Sequence, residues 1–298
     1  MENYSVYEDI ASRTNGDIYI GVVGPVRTGK STFIKRFMEQ LVIPSADESR
    51  RAVMTDELPQ SAAGRTVMTT EPKFVPAQAA KISIREGAEA SVRLVDCVGF
   101  AVEGAGGFEE DGAPRLIKTP WSEQAMPFEK AAKLGTEKVI REHSTIGILM
   151  TTDGSITELP RSAYVAAEEH AAAELKEIGK PFVILLNCRQ PAAQEPLRAS
   201  LEEKYGVPVL AVNAEELTED EILEIMQKVL FEFPVVGIDV RIPKWMQSLP
   251  ESSKVVSAVL TKLKKLAPSL VKMKDCLMLE NLFGEEDKFL NPDNIAME

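Results

Sequence analysis

The sequence is poor in the residues that build covalent or metal frameworks. Of 298 residues only three are cysteines (Cys97, Cys188, Cys276) and two are histidines (His143, His170). An odd number of widely spaced thiols fits a reducing compartment and free thiols, not a disulfide framework. Without a Cys/His cluster, a zinc site is not expected. Long apolar runs are missing as well: no stretch reaches ~18 consecutive apolar residues, so no segment reads as a membrane span. Met1 to Gly16 is polar and acidic, without the basic start and apolar run of a secretory signal. These absences together give a cytoplasmic expectation. Positive charge is also short, with 34 Lys+Arg against 46 Asp+Glu and a net charge of −12. That balance argues against a general nucleic-acid binder and against whole-surface attraction to anionic lipid, while leaving room for a local basic patch.

Hydrophobic residues make up 44% and charged residues 27%, the profile of a soluble globular protein. The length exceeds one average domain. Asp17–Val23 (DIYIGVV) is a short apolar run ending at glycine and predicts a buried strand, and Ser31–Val42 follows with apolar residues at helical spacing. Residues 43–72, with Pro44, Pro59, Gly64 and Pro72, read as a long loop. Lys81–Arg85 and Ser91–Asp96 suit an antiparallel hairpin, and the glycine- and acid-rich residues 99–128 read as a second long loop. Helices are then expected at about 128–142, 158–179, 195–205 and 218–231, alternating with strands Thr145–Thr151, Pro181–Asn187 and Val207–Val212. Such alternation predicts an α/β fold whose mostly parallel sheet carries helices on both faces, with one antiparallel hairpin strand. A boundary is expected near residue 235. It leaves a short arm (1–16), a domain over 17–235 and a further unit over 236–298.

Gly24-Pro25-Val26-Arg27-Thr28-Gly29-Lys30-Ser31 matches G-x4-G-K-[ST] between a strand and a helix. The glycines let the backbone wrap so that successive N–H groups and the helix N-terminus meet phosphates. Lys30 would reach the β- and γ-phosphates, the Ser31 hydroxyl would ligate Mg²⁺, and Thr28 and Thr32 flank them. Leu94-Val95-Asp96-Cys97-Val98-Gly99 supplies the second element, hhDxxG: Asp96 on the Mg²⁺ side, Gly99 N–H toward the γ-phosphate. Between them Arg65-Thr66-Val67-Met68-Thr69-Thr70 occupies the place of a switch threonine, with Thr69 and Thr70 both candidates for Mg²⁺ and γ-phosphate contact.

The order strand, phosphate loop, helix, switch, hairpin, D-x-x-G resembles the translation-factor-like class of P-loop NTPases over residues 17–233. In its GTPases N-K-x-D reads guanine. Here the place reads Asn187-Cys188-Arg189-Gln190, with Asn187 standing for the first Asn and a neutral amide where the guanine-reading carboxylate belongs. Asn213-Ala214-Glu215 replaces the usual Ser-Ala-Lys. ATP is therefore the expected nucleotide. Many GTPases place glutamine after D-x-x-G to orient water, but here Phe100 follows, which predicts slow basal hydrolysis. Arg27 and Arg65 are candidates for transition-state charge, against the plainer reading of solvated arginines.

The blocks GPVRTGKSTFIKRFM, PQSAAGRTVMTTEPKFVP, LVDCVGFAVEGAGG and PFVILLNCRQP narrow the resemblance to the stage IV sporulation protein A family. The resemblance implies an Mg²⁺-dependent ATPase whose hydrolysis drives or licenses self-assembly of the basement layer of the spore coat. That layer surrounds the forespore, on the mother-cell side of its outer membrane. The resemblance also implies partners: further copies of the protein, a small membrane-anchoring peptide and other coat proteins. By motif it makes Lys30, Thr69, Thr70 and Asp96 catalytic, and Ser31, Thr70 and Asp96 metal ligands. It places Gly24, Arg27, Thr28, Gly29, Lys30, Ser31, Thr32, Gly99 and Asn187 on the nucleotide. It further implies a longer parent, with this chain ending inside a middle region.

The alternatives are a regulatory GTPase-like switch, opposed by Gln190 and Phe100, and a small-molecule kinase, opposed by the hairpin order and the absence of an evident lid. Residues 236–251 carry an apolar alternation that suggests a strand. Residues 252–274 hold six lysines and no acid, with Val256, Val259, Leu260, Leu263, Leu266 and Leu270 near one helical face until Pro268. A lipid- or partner-facing basic helix and an ordinary packed helix with a solvated lysine face are both open there.

Overall fold

The computed structural model describes residues 14–59, 71–85, 88–110, 113–238, 240, 244–250 and 252–281. The chain divides into two compact units, Met1–Val229 and Leu230–Glu298.

In the first unit, β1 (Ile18–Val23) leads through the phosphate loop into α1 (Lys30–Phe37), which continues as a π-helical turn over Met38–Val42. Further on, α2 (Glu48–Asp56) precedes β2 (Lys73–Arg85) and β3 (Ala88–Asp96). Two small hairpins follow, β4 (Glu109–Glu110) with β5 (Ala113–Pro114), and β6 (Leu116–Thr119) with β7 (Ser122–Pro127). Then come α3 (Phe128–Lys138), β8 (Ile146–Thr152), α4 (Arg161–Ile178), β9 (Phe182–Asn187), α5 (Glu195–Tyr205), β10 (Val209–Val212) and α6 (Glu219–Phe231). The main sheet runs β10-β9-β8-β1-β3-β2, parallel throughout except for β2 against β3. This is the expected α/β architecture. Every residue of β8 and β9 is buried, which is why both read as unbroken apolar runs rather than alternating ones. Val22 pairs with Asp96 and Val23 with Leu149, so the phosphate loop leaves the sheet at the carboxyl ends of its central strands.

Three expectations are corrected. Residues 43–72 do not form one long loop: α2 occupies Glu48–Asp56, held by the Arg51 guanidinium on the Ala46 and Pro44 carbonyls at 2.9 and 2.8 Å. β2 begins at Lys73, not near Lys81, and its pairing with β3 shifts register between Val75 and Ala80. Pro76 fits there because β2 is an edge strand, where a missing N–H costs no ladder bond. Residues 99–128 carry the two small hairpins instead of a plain loop.

In the second unit, the strand expected within 236–251 is not present among the described residues; a helical turn, Lys244–Gln247, lies there instead. Ser253 Oγ caps α7 (Lys254–Leu266) by accepting from Val256 N, and Pro268 falls in the 3₁₀ turn Ala267–Ser269 that ends it. Val256 and Val259 pack with Met246 inside this unit, joined by Val255 and Leu263. Part of the apolar stripe is thus a core face. Buried Glu232 pairs with Lys272 and Lys274.

Candidate functional site

The phosphate loop is tied down from behind. Gly29 has φ 88°, a left-handed conformation that favours glycine, and a side chain there would run into Asn187 Nδ2. Asn187 ends β9 and is 4% exposed. Its Nδ2 donates to the Thr28 carbonyl and its Oδ1 accepts from Ala214 N, both at 3.0 Å. The side-chain amide therefore joins the loop to the segment after β10. Within the loop, the Pro25 carbonyl accepts from Thr28 Oγ1 at 3.0 Å and from Lys30 Nζ at 2.6 Å. Lys30 is buried, and desolvation pulls its pKa below the ordinary amine value, with Cys97 and Asp96 opposing. Thr32 lies in the first turn of α1, and Arg27, at φ 61°, is exposed on the loop.

Across from the loop, Ser31 Oγ donates to Asp96 Oδ2 at 2.8 Å. Asp96 Oδ1 is buried without a hydrogen-bond partner. Burial raises the Asp96 pKa above the usual carboxylate value, while the Ser31 hydrogen bond and the Lys30 charge act the other way. An orphaned carboxylate oxygen beside a hydroxyl, at the foot of a phosphate loop, is an oxygen donor set that fits a hard divalent cation.

The D-x-x-G turn is stitched to the same loop. Phe100 N donates to the Gly24 carbonyl at 3.0 Å, and Val26 N to the Phe100 carbonyl at 2.9 Å. Gly99, at φ 101°, lies so close that a Cβ would strike the Gly24 carbonyl and Lys30 Nζ. Its N–H donates to Thr136 Oγ1 at 3.1 Å. The Phe100 side chain is 3% exposed and meets His170 edge-on at 4.7 Å between ring centres. The residue after D-x-x-G thus serves as core. Neighbouring Cys97 is buried, which pushes its thiol up to about 11.

On the base side, Cys188 is fully buried, and Gln190 is exposed just before the turn Pro191–Gln194. The structure thus brings together Gly24, Thr28, Gly29, Lys30, Ser31, Asp96, Gly99 and Asn187. Thr69, Thr70 and Arg65 lie outside the described residues. Sequence reasoning missed Thr136, a mid-helix threonine with no local signal. It also missed Glu168, fully buried, whose carboxylate accepts from Arg161, Thr151 and Tyr205.

A family model described as the ATPase domain of stage IV sporulation protein A matches residues 1–234. The chain belongs to the stage IV sporulation protein A family. It is 56% identical to stage IV sporulation protein A of Bacillus anthracis over 254 residues, which cover 84% of this chain and 52% of that protein. To the Clostridioides difficile relative it is 52% identical over 276 residues, 92% of this chain and 56% of that one. To the Bacillus subtilis relative it is 48% identical over 288 residues, 96% and 58%. The chain therefore spans about half the length of the curated relatives it matches. Among solved structures, the cytosolic domain of the T. maritima FeoB iron transporter aligns over 91% of both chains at a TM-score of 0.34 and 11% identity. That likeness is too loose to bear on the fold, which rests on the sheet order itself. No helix among the described residues is long and apolar enough to cross a membrane.

Proposed function

We propose that this family member binds and hydrolyses ATP with Mg²⁺. In the longer protein, hydrolysis licenses the joining of subunits into the basement layer of the spore coat. The observation that carries the nucleotide part is Asp96 Oδ1, buried and unpartnered beside the Ser31 hydroxyl at the foot of a G-x4-G-K-S loop. Ser31 and Asp96 would hold Mg²⁺, with Thr70 as the switch ligand, and the metal would supply charge neutralisation between the phosphates. Lys30, now on the Pro25 carbonyl, would exchange that neutral acceptor for phosphate oxygens. Gly24, Arg27, Thr28, Gly29, Thr32 and Gly99 would contact the nucleotide, with Asn187 bracing the loop through the Thr28 carbonyl. Thr69 or Thr70, with the Gly99 N–H, would grip the γ-phosphate until hydrolysis frees it.

Gln190 supports ATP over GTP, since an exposed neutral amide cannot accept two guanine donors as a carboxylate does. Phe100 supports slow turnover, because its buried ring leaves no side chain there to orient water. Membership in a sporulation family supports the assembly role, with further copies, an anchoring peptide and other coat proteins as partners at the forespore surface. Phosphate release and sedimentation of the full-length protein test the reading together. ATP should be hydrolysed and should promote assembly, and Lys30→Ala should abolish both. Assembly that proceeds equally in Lys30→Ala would sink the coupling.

A further inference from the structure

Gly99 carries the one backbone N–H to which the D-x-x-G motif gives a phosphate-sensing role, and in this structure that N–H is taken. It donates to Thr136 Oγ1 at 3.1 Å. Thr136 is fully buried in α3, and its own hydroxyl proton goes to the Ala132 carbonyl at 2.8 Å, one helical turn earlier. With that proton on the Ala132 carbonyl, Oγ1 offers Gly99 a lone pair, and the neighbouring Cys97 thiol also lies against both Thr136 and Gly99. Small buried residues beside it in α3 (Ala131, Ala132, Gly135) let the turn come this close. The turn cannot retreat on the other side, because Phe100 is hydrogen-bonded to Gly24 and Val26. The Gly99 peptide thus stands between a fixed neutral hydroxyl and the phosphate loop.

We propose that Thr136 is the resting acceptor for the Gly99 N–H, a positioning residue that sets how strongly the site distinguishes a nucleoside triphosphate from a diphosphate. The proposal rests on the reading that this N–H turns to a terminal phosphate oxygen in the triphosphate state. A diphosphate leaves the Gly99–Thr136 bond in place. A triphosphate must break it before gaining a stronger, charge-assisted bond. The hydroxyl therefore weakens triphosphate binding alone and gives the N–H a defined place to return to after the γ-phosphate leaves.

The test uses the 298-residue chain with Mg²⁺, titrated calorimetrically with a non-hydrolysable ATP analogue (adenylyl imidodiphosphate) and with ADP. Thr136→Val should tighten the analogue about fivefold relative to ADP, the worth of one net hydrogen bond. Thr136→Ser, which keeps the acceptor, should hold the wild-type ratio. An NMR readout on the wild type needs no variant: the Gly99 amide resonance should move with the analogue and stay with ADP. Two results overturn the proposal in distinguishable ways. If the wild type binds both ligands alike and the Gly99 amide does not respond, phosphate sensing at Gly99 falls and the proposal with it. If the wild type discriminates but Thr136→Val shifts both affinities equally, Thr136 serves packing only and the sensing reading stands.

Discussion

Asn187 stands where a guanine-binding sequence would place its first base-side asparagine, yet its polar atoms are engaged with backbone. Truncation to alanine isolates that role. It would leave the Thr28 carbonyl and the Ala214 N–H without their partner, and both residues are fully buried. A buried backbone group left unpaired costs about 1–3 kcal/mol, so the pair predicts a loss of about 2–6 kcal/mol. In a unit of this size that corresponds to a melting-temperature fall on the order of 5–15 °C. Because Asn187 braces Gly29 at the entry to α1, the looser loop should also weaken ATP and GTP binding by the same factor. Urea denaturation measures the first effect and competitive titration the second. A loss below about 1 kcal/mol would refute the strut, since one unsatisfied group alone exceeds that. A tenfold change in the ATP-to-GTP ratio would also refute it, by showing that the side chain reads the base.

Three further perturbations bear on the same site. Asp96 has a raised folded-state pKa, so the native state binds more protons than the unfolded one between 3.8 and that higher value, and metal-free stability falls as pH rises through the window. Asp96→Asn should remove that loss. Thermal melts should then show metal-free Asp96→Asn at least as stable as wild type at pH 7, without the added stability that Mg²⁺ and nucleotide give wild type; a metal-free variant that melts lower contradicts this. Phe100→Gln places the residue of many GTPases after D-x-x-G, but in a core position against His170. It should cost about 3 kcal/mol or more in denaturant titrations without raising phosphate release. Arg161→Met strands the fully buried Glu168 carboxylate and should cost about 3–5 kcal/mol by the same titrations, more than Tyr205→Phe, which removes one neutral donor.

The loop motif, the D-x-x-G aspartate beside it and the strand–helix alternation were legible because each is a local pattern: spacing for the first two, unbroken burial for β8 and β9. α2 was not, since only Met54 among its nine residues is buried and a helix exposed on nearly every side carries no apolar stripe. The early start of β2 was hidden by Pro76 and by the register shift that breaks its alternation. The alternation in 236–251 falls partly outside the described residues; within them only the turn Lys244–Gln247 forms, where Met246 packs on Val256 and Val259. The absence of a glutamine at position 100 could be read directly. That the ring turns into the core could not, because its neighbour His170 comes from α4, far along the chain. Thr136 is the same case: its meeting with Gly99 spans 37 residues of chain and exists only in the folded unit.

In the function proposed above, an ATP-selective, Mg²⁺-dependent site is built on Lys30, Ser31 and Asp96. Competition of ATP against GTP for the 298-residue chain, with and without Mg²⁺, tests it most directly. ATP should displace a bound fluorescent ATP analogue far more effectively than GTP, only when Mg²⁺ is present, and Lys30→Ala should abolish binding of both. Equal or stronger displacement by GTP, or binding indifferent to Mg²⁺, would contradict it.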